Sequence, residues 1–426
     1  MRDPGETTLD ESSRLVISSL ADTILKRDYL LRLARCFATF GSPGHRLEDN
    51  MRIASAALSI QSSFAFVPGM ILASFESEDI RASDTYLMIV NESKYMDRLE
   101  KCLIISQKVG QGVMTIAEGH KLLDNLYKNR KYYPDWCEIV SFGLYSFLSC
   151  PIAYGGGIKD WIASGILGLL VGALRRLSKS IYTYNSILEI SAGFLVSIIA
   201  TAFHTHICYV AVMLSAITKL VPGYSLATSV IELATRNVIS GTLRLLYNLS
   251  LSFILAFGLS FGSSAFQSIG VIPIEHPQCH RINPLWILVL FPLISICSAV
   301  INHASPRQWP GIIGISSIAY TTQYVLSRLL SPTVATVVAA FNLALSGHIY
   351  TQITGKMGMP GVLNGVSLLV PGGLGIRGIF EIIVESSHGL ELAVQMLRIC
   401  ICLAFGLLLG SLAITPTLKK HQYPTI

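Results

Sequence analysis

Charge is what this sequence has least of: Asp, Glu, Lys and Arg make up 14% of its 426 residues, against about a quarter in ordinary soluble domains. The shortage is confined to one part of the chain. Residues 1–136 carry 17 Lys/Arg and 18 Asp/Glu, whereas residues 137–426 carry 15 Lys/Arg and only 8 Asp/Glu. Nine cysteines show no C-x-x-C spacing. Six of them, Cys137, Cys150, Cys208, Cys297, Cys400 and Cys402, lie in apolar runs and read as small buried hydrophobes rather than metal ligands or disulfide partners. A P-loop, a G-x-S-x-G elbow, a zinc motif and an apolar secretory signal are all missing. The composition, 51% hydrophobic, excludes disordered, collagen-like and disulfide-scaffold classes. The missing Walker motif argues against a chain that hydrolyses its own ATP.

What is present is a soluble composition followed by one too apolar for water. A bilayer core of about 30 Å takes roughly 20 mostly apolar residues per helix. Ten candidate spans follow, at about 137–154, 161–177, 186–204, 206–221, 245–263, 285–303, 309–329, 333–353, 360–376 and 393–414. The fourth and ninth are short or meet a Pro-Gly break, where the freed backbone must face protein or a wet cavity. Lys121, Lys128, Arg130 and Lys131 precede the first span, Arg175, Arg176 and Lys179 follow the second, and Lys419 and Lys420 close the chain. The loops expected outside hold Lys159, then none, then Arg281, with Arg377 as the exception. With ten spans this bias predicts a multi-pass protein with both termini cytosolic, and it does not distinguish a plasma from a vacuolar membrane. The divisions expected are an amphipathic helical segment (1–40), a cytosolic α/β domain (41–136), a first membrane repeat (137–264), a loop (265–284), a second repeat (285–414) and a cytosolic tail (415–426).

The two membrane blocks read as copies. The run Leu255-Ala256-Phe257-Gly258-Leu259-Ser260-Phe261-Gly262 recurs 148 residues on as Leu403-Ala404-Phe405-Gly406-Leu407-Leu408-Leu409-Gly410, and Leu220-Val221-Pro222-Gly223 recurs 149 residues on as Leu369-Val370-Pro371-Gly372. The four tryptophans pair likewise, Trp136 with Trp286 and Trp161 with Trp309, each at the start of a span, where an indole suits the headgroup region. Five spans per copy is an odd number, so the second copy is expected upside down. Inverted repeats with interrupted helices near the midplane are a hallmark of secondary transporters. The expected fold is therefore an all-α polytopic bundle of about ten transmembrane helices in two inverted five-helix repeats, with a small soluble α/β domain ahead of it.

Ionisable groups inside spans are functional candidates by default. Glu232 and Glu381 stand ten residues beyond Pro222 and Pro371, beside Gly223 and Gly372. A carboxylate there can exchange a proton with a gradient or meet an ammonium; the alternative is a cap or a salt bridge, such as Glu232 to Arg236 at i,i+4. Arg236, Asn237, Ser240 and Arg244 follow on the same stretch, and Arg377 precedes Glu381 by four; a buried arginine can hold a carboxylate bidentately. The turn Tyr154-Gly155-Gly156-Gly157 leads to Asp160 and gives a close, flexible backbone. No metal or other cofactor is called for, and no nucleic-acid partner; the partners expected are lipid, protons and a small solute.

In the first 136 residues, Gly41-Ser42-Pro43-Gly44 separates a helix over Leu15–Phe37 from another over His45–Ile60. Strand-like runs at Ser63–Val67, Met70–Phe75 and Thr85–Val90, then helices at about 94–110 and 115–129, complete the domain. His45 with Glu48 and Asp49 forms either an acid/base pair or a solvated cap.

The run Gly41-Ser42-Pro43-Gly44-His45-Arg46-Leu47-Glu48, the Tyr154–Asp160 turn, the two Val-Pro-Gly turns and Ile239-Ser240-Gly241-Thr242-Leu243-Arg244 together resemble the threonine/serine exporter family, and its fungal, pheromone-regulated membrane protein branch most closely. The resemblance runs from about residue 41 to 414. It implies proton-driven export of threonine and serine, a cytosolic N-terminal domain, about ten spans and no enzymatic activity. Two other classes remain open: a membrane-anchored hydrolase with its chemistry around His45, and a membrane scaffold that transports nothing.

Overall fold

The computed structural model describes residues 4–76, 83–128, 132–269, 285–369 and 389–414. The chain divides into two compact units, 1–130 and 131–426.

In the first unit, α1 (Pro4–Thr39) and α2 (Gly44–Ala57) precede three strands, β1 (Ser62–Val67), β2 (Met70–Glu76) and β3 (Ser83–Ile89), which α3 (Met96–Gly110) and α4 (Ile116–Lys128) follow. Helical spacing selects the buried face of α1: Tyr29, Leu30, Leu33, Ala34 and Phe37 are inside, at i, i+3/4 steps. Period-two alternation does the same for β2, where Ile71, Ala73 and Phe75 are fully buried while Met70 and Leu72 face outward. The sheet is an antiparallel meander, β1-β2-β3. The expected α/β arrangement is thus corrected to α+β. Two residues separate β1 from β2 and six separate β2 from β3, too few for the crossover of a dozen or more that parallel strands need. At the Gly-Ser-Pro-Gly turn, Gly41 has φ +91°, and a Cβ there would meet Ser93 O at 2.5 Å, so only glycine fits.

The second unit is helical: α5 (Asp135–Ala153), α6 (Ile158–Ser180), a single turn α7 (Tyr182–Asn185), α8 (Leu188–Ala202), α9 (Tyr209–Ile217), α10 (Gly223–Ala234), α11 (Val238–Ile269), α12 (Leu285–Ile301), α13 (Trp309–Leu329), α14 (Pro332–Thr354), α15 (Met359–Leu369) and α16 (Gly389–Ile414). Among the described residues, α5, α6, α11 and α14 are long and apolar enough to cross a membrane, and α8 and α15 and the apolar parts of α12 and α16 are shorter. The expected fourth span is cut short: α9 stops at Ile217, and residues 223–234, between the expected fourth and fifth spans, form α10. That helix is too short and too rich in Ser, Thr and Glu to register as a span, yet Leu226, Ala227, Ser229 and Glu232 are buried on it.

α8 packs on α11, α14 on α16, α6 on α9 and α13 on α15. Glycines make the first two contacts close. A Cβ on Gly258 would stand 2.7 Å from Ile190 O, and one on Gly262 2.5 Å from Phe194 O. On α16, a Cβ on Gly406 would strike Val337 O, and one on Gly410 would stand 2.8 Å from Phe341 O. Such small-residue faces let helix backbones approach where the solvent is lipid. At one end of α5 and α12, Tyr133 donates its hydroxyl to Ala304 O at 2.8 Å and stacks on His303, so the start of α5 meets the end of α12. Seven described cysteines are free; Cys208 is disulfide-bonded, which corrects its reading as a simple buried hydrophobe.

Candidate functional site

α10 begins at a backbone break. α9 ends at Ile217, residues 218–222 are non-helical, and Pro222 is the N-cap of α10, with Gly223 its buried first residue. A proline has no N–H to donate and a fixed φ, so it fits the non-helical backbone ahead of the helix. Ten residues beyond Pro222, the Glu232 side chain is fully buried. The hydroxyl of Ser240 donates to its Oε2 at 2.9 Å, and Arg244 Nη1 stands 3.6 Å from its Oε1. Ser240, Arg244 and Asn248 recur every four residues on α11 and are buried, so one stripe of that helix faces α10. Asn248 reaches Ser229 of α10 at 3.5 Å. The result is a polar seam between two helices with a carboxylate and a guanidinium sealed inside.

The i,i+4 partner expected for Glu232 is corrected. Arg236 is exposed, with φ +67°; it ends α10, where Asn237 N–H donates to Glu232 O at 2.9 Å, the six-to-one bond of a helix C-terminus. Past that turn the chain folds back, and Arg244 arrives on the next helix. Pro371, Gly372, Arg377 and Glu381 lie outside the described residues.

Asp160 does a different job. It is buried, its Oδ2 accepts Gly157 N–H at 2.7 Å, and its Oδ1 accepts Cys208 N–H at 2.8 Å. Both oxygens thus fasten helix starts, those of α6 and α9, a favourable place for an anion. Gly156 O receives the Trp161 indole N–H at 2.9 Å, and a Cβ on Gly156 would strike Cys150 Sγ. This turn anchors helices rather than joining the Glu232 seam. Opposite it on α5 and α6, Lys179 pairs with Glu138 at 2.5 Å and Arg176 with Asp135 at 2.8 Å. These charges therefore gather at one end of the hairpin.

Sequence reading missed Lys219, which sits in the 218–222 break. Its Nζ donates to Ser298 Oγ at 2.8 Å and lies 4.2 Å from the Tyr145 ring centroid. The signal was available, because Lys219 is the only Lys, Arg, Asp or Glu within the expected span 206–221. In the first unit, Glu48 Oε1 accepts Phe66 N–H at 2.9 Å, tying α2 to β1, and Asp49 pairs with Arg52 at 3.1 Å. His45 and Arg46 lie on α2, both half-buried.

Apolar helices that enclose an acid, an arginine and a lysine at a helix break define an integral membrane protein with internal polar sites. The chain belongs to the threonine/serine exporter family: the family profile described as "Putative threonine/serine exporter" matches residues 28–266. Fungal proteins are among its relatives. An uncharacterized protein of Schizosaccharomyces pombe is 27% identical over 97% of this chain and 58% of its own length. Pheromone-regulated membrane protein 10 of Saccharomyces cerevisiae is 27% identical over 94% of this chain and 56% of its own length, and that of Pichia sorbitophila 26% over 83% and 37%. The chain therefore spans between 37% and 58% of the length of these relatives. No solved structure matches it.

Proposed function

We propose that this protein is a secondary transporter that exports small amino acids such as threonine and serine, driven by protons and working by alternating access, with both termini in the cytosol. The observation that carries the reading is the fully buried Glu232 held by Ser240 and Arg244 between α10 and α11. A carboxylate sealed in a membrane helix pair is costly, and a proton-coupled carrier gives it a use: it binds a proton on one side and releases it on the other. Glu381, at the matching position of the second half, is the proposed counterpart.

The two halves are proposed to be inverted copies. Supporting this, Gly258 and Gly262 contact Ile190 and Phe194, while Gly406 and Gly410 contact Val337 and Phe341, each pair offset by 147 or 148 residues. Ser215 and Asn364, offset by 149, each hydrogen-bond a serine on the second long helix of their own half, Ser164 and Ser316. The antiparallel meeting of α5 and α12 supports inversion, because a parallel copy would bring like ends together. Purified protein in liposomes should take up radiolabelled serine or threonine when a pH gradient is imposed. Uptake no faster than in empty liposomes, across both amino acids and both gradient directions, would refute the assignment.

A further inference from the structure

α15 is enclosed on every side, with residues 359–366 and Leu369 buried. At its midpoint stands a polar side chain, Asn364, only 2% exposed. α12, α13 and α15 pack against one another, and there the Asn364 amide meets the hydroxyl of Ser316 on α13, with Nδ2 donating at 3.4 Å. Ser295 Oγ on α12 lies 3.4 Å from the same hydroxyl, and both serines are buried. The orientation of the amide follows from the count of protons. Ser316 donates its single hydrogen to Ile312 O at 2.6 Å, so toward Asn364 it can only accept. The amide nitrogen therefore faces Ser316, and Oδ1 is left buried with no hydrogen-bond partner among the described residues. Buried carbonyl oxygens are nearly always paired, and an exception calls for a donor from elsewhere.

The first half differs at the matching position. The offset of 149 that aligns the two Leu-Val-Pro-Gly turns sets Ser146 against Ser295 and Ser215 against Asn364. Ser215 Oγ is 2.6 Å from Ser164 Oγ, which in turn lies 2.9 Å from Ser146 O, and the Ser146 hydroxyl donates to Ala216 O at 3.4 Å. Each of those hydroxyls has its partner. Asparagine in place of serine adds one acceptor, in one half.

One bare carbonyl oxygen suits one O–H donor. An ammonium brings three N–H groups and a charge that a buried site must balance, whereas Ser295 and Ser316 are neutral. One turn along α12, Ser298 already receives the Lys219 ammonium at 2.8 Å, and a second cation beside it is repelled. We propose that Asn364 Oδ1 accepts the side-chain hydroxyl of the transported amino acid where α12, α13 and α15 meet, and so selects serine and threonine over solutes without a hydroxyl. This deepens the transporter reading and rests on it. Alanine fits the same space but leaves the oxygen bare, and a site built around such a bond rejects the analogue that lacks it.

The test is counterflow in liposomes that hold the full chain, read as the ratio of kcat/KM for serine to that for alanine. A change in the amount of folded protein moves both rates together and leaves that ratio alone. Wild type should prefer serine by about tenfold or more. Asn364→Leu, of similar volume and without an acceptor, should bring the ratio close to one. Asn364→Ser stands in if that variant fails to elute as a folded species; its hydroxyl would be engaged by Ser316, as that of Ser215 is by Ser164, and the ratio should again collapse. Wild type that carries serine and alanine equally, or a folded variant that keeps the wild-type ratio, overturns the hydroxyl role while leaving the transporter reading intact. No flux of either solute in wild type overturns both.

Discussion

Ser240 and Glu232 are eight residues apart on different helices, yet the hydroxyl donates to the carboxylate at 2.9 Å with both side chains buried. Glu232→Gln keeps the shape and an acceptor for Ser240, and removes the negative charge. It should elute as a folded protein and fail to accumulate serine under a pH gradient. Glu232→Ala leaves the Arg244 guanidinium enclosed without its carboxylate, and removing one member of a buried pair costs about 3–5 kcal/mol. Glu232→Gln leaves that guanidinium uncompensated as well, so thermal denaturation in detergent should show a loss for both, the smaller one for Gln, whose amide oxygen still accepts a hydrogen bond. Wild-type accumulation in Glu232→Gln would remove this residue from the coupling step.

The four glycines of the repeated Leu-Ala-Phe-Gly runs give a second expectation. Gly258 and Gly406 each face a backbone carbonyl of the helix they pack on, those of Ile190 and Val337. A leucine at either position must push two helix backbones apart, and overpacking of this kind costs about 1–3 kcal/mol. Gly258→Leu and Gly406→Leu should therefore lower the melting temperature by similar amounts. If the halves are copies, the matching single substitutions should act alike. A large effect at one glycine and none at the other would count against equivalent packing.

These glycines also show what the sequence reveals and what it hides. The recurring Leu-Ala-Phe-Gly pattern was legible because close helix contact tolerates only glycine at such positions. The strands of the first unit were legible to within a residue or two, since alternation and the Pro68-Gly69 turn fix their register, with Gly69 at φ +88°. α10 was not legible. Its buried face is Leu226, Ala227, Ser229 and Glu232, a mixture that falls outside every apolar run, and the single helical stretch expected from Glu232 to Arg244 breaks between Ala234 and Val238. The partner of Glu232 was hidden for a related reason: helical arithmetic offered Arg236 four residues on, but the helix ends there and the return of the chain supplies Arg244. Lys219 stood in plain view, but in an apolar run its charge resembles the flank of a span. Only the nearness of α5 and α12 marks it as internal.

Asp160 yields a prediction of a different kind, because it was a candidate for solute contact and its oxygens serve Gly157 and Cys208 backbone N–H groups instead. Asp160→Ala leaves those two donors without acceptors in a buried site, at about 1–3 kcal/mol each. The loss should appear as lower thermal stability, with the serine KM of the surviving folded fraction unchanged. Asp160→Asn retains one acceptor oxygen and should fall between. A raised KM with unaltered stability would return Asp160 to the solute path.

The last prediction concerns the first unit, where Cys36 of α1 and Cys102 of α3 are both fully buried. Burial pushes the Cys102 thiol well above its usual range, and hydrogen bonding to Cys36 adds to the rise. A thiolate is the reactive form, so Cys102 should resist iodoacetamide at pH 8 in the folded protein and react once the chain is unfolded in detergent. The same shift has a consequence for stability. The unfolded chain loses this proton near pH 8.5, while the folded chain keeps it to a higher pH. The contribution is fully present below about pH 8.5 and falls by about 1.4 kcal/mol per pH unit above it, until the raised native value is reached. Cys102→Ala removes the titrating group, so its loss of stability between pH 8 and 10 should be shallower than that of the wild type. Peptide mass spectrometry after labelling of the intact protein checks the first part, and melting at stepped pH checks the second. Fast labelling of Cys102 at pH 8 in the folded protein would mean that α1 and α3 open readily, and that the thiol is not enclosed.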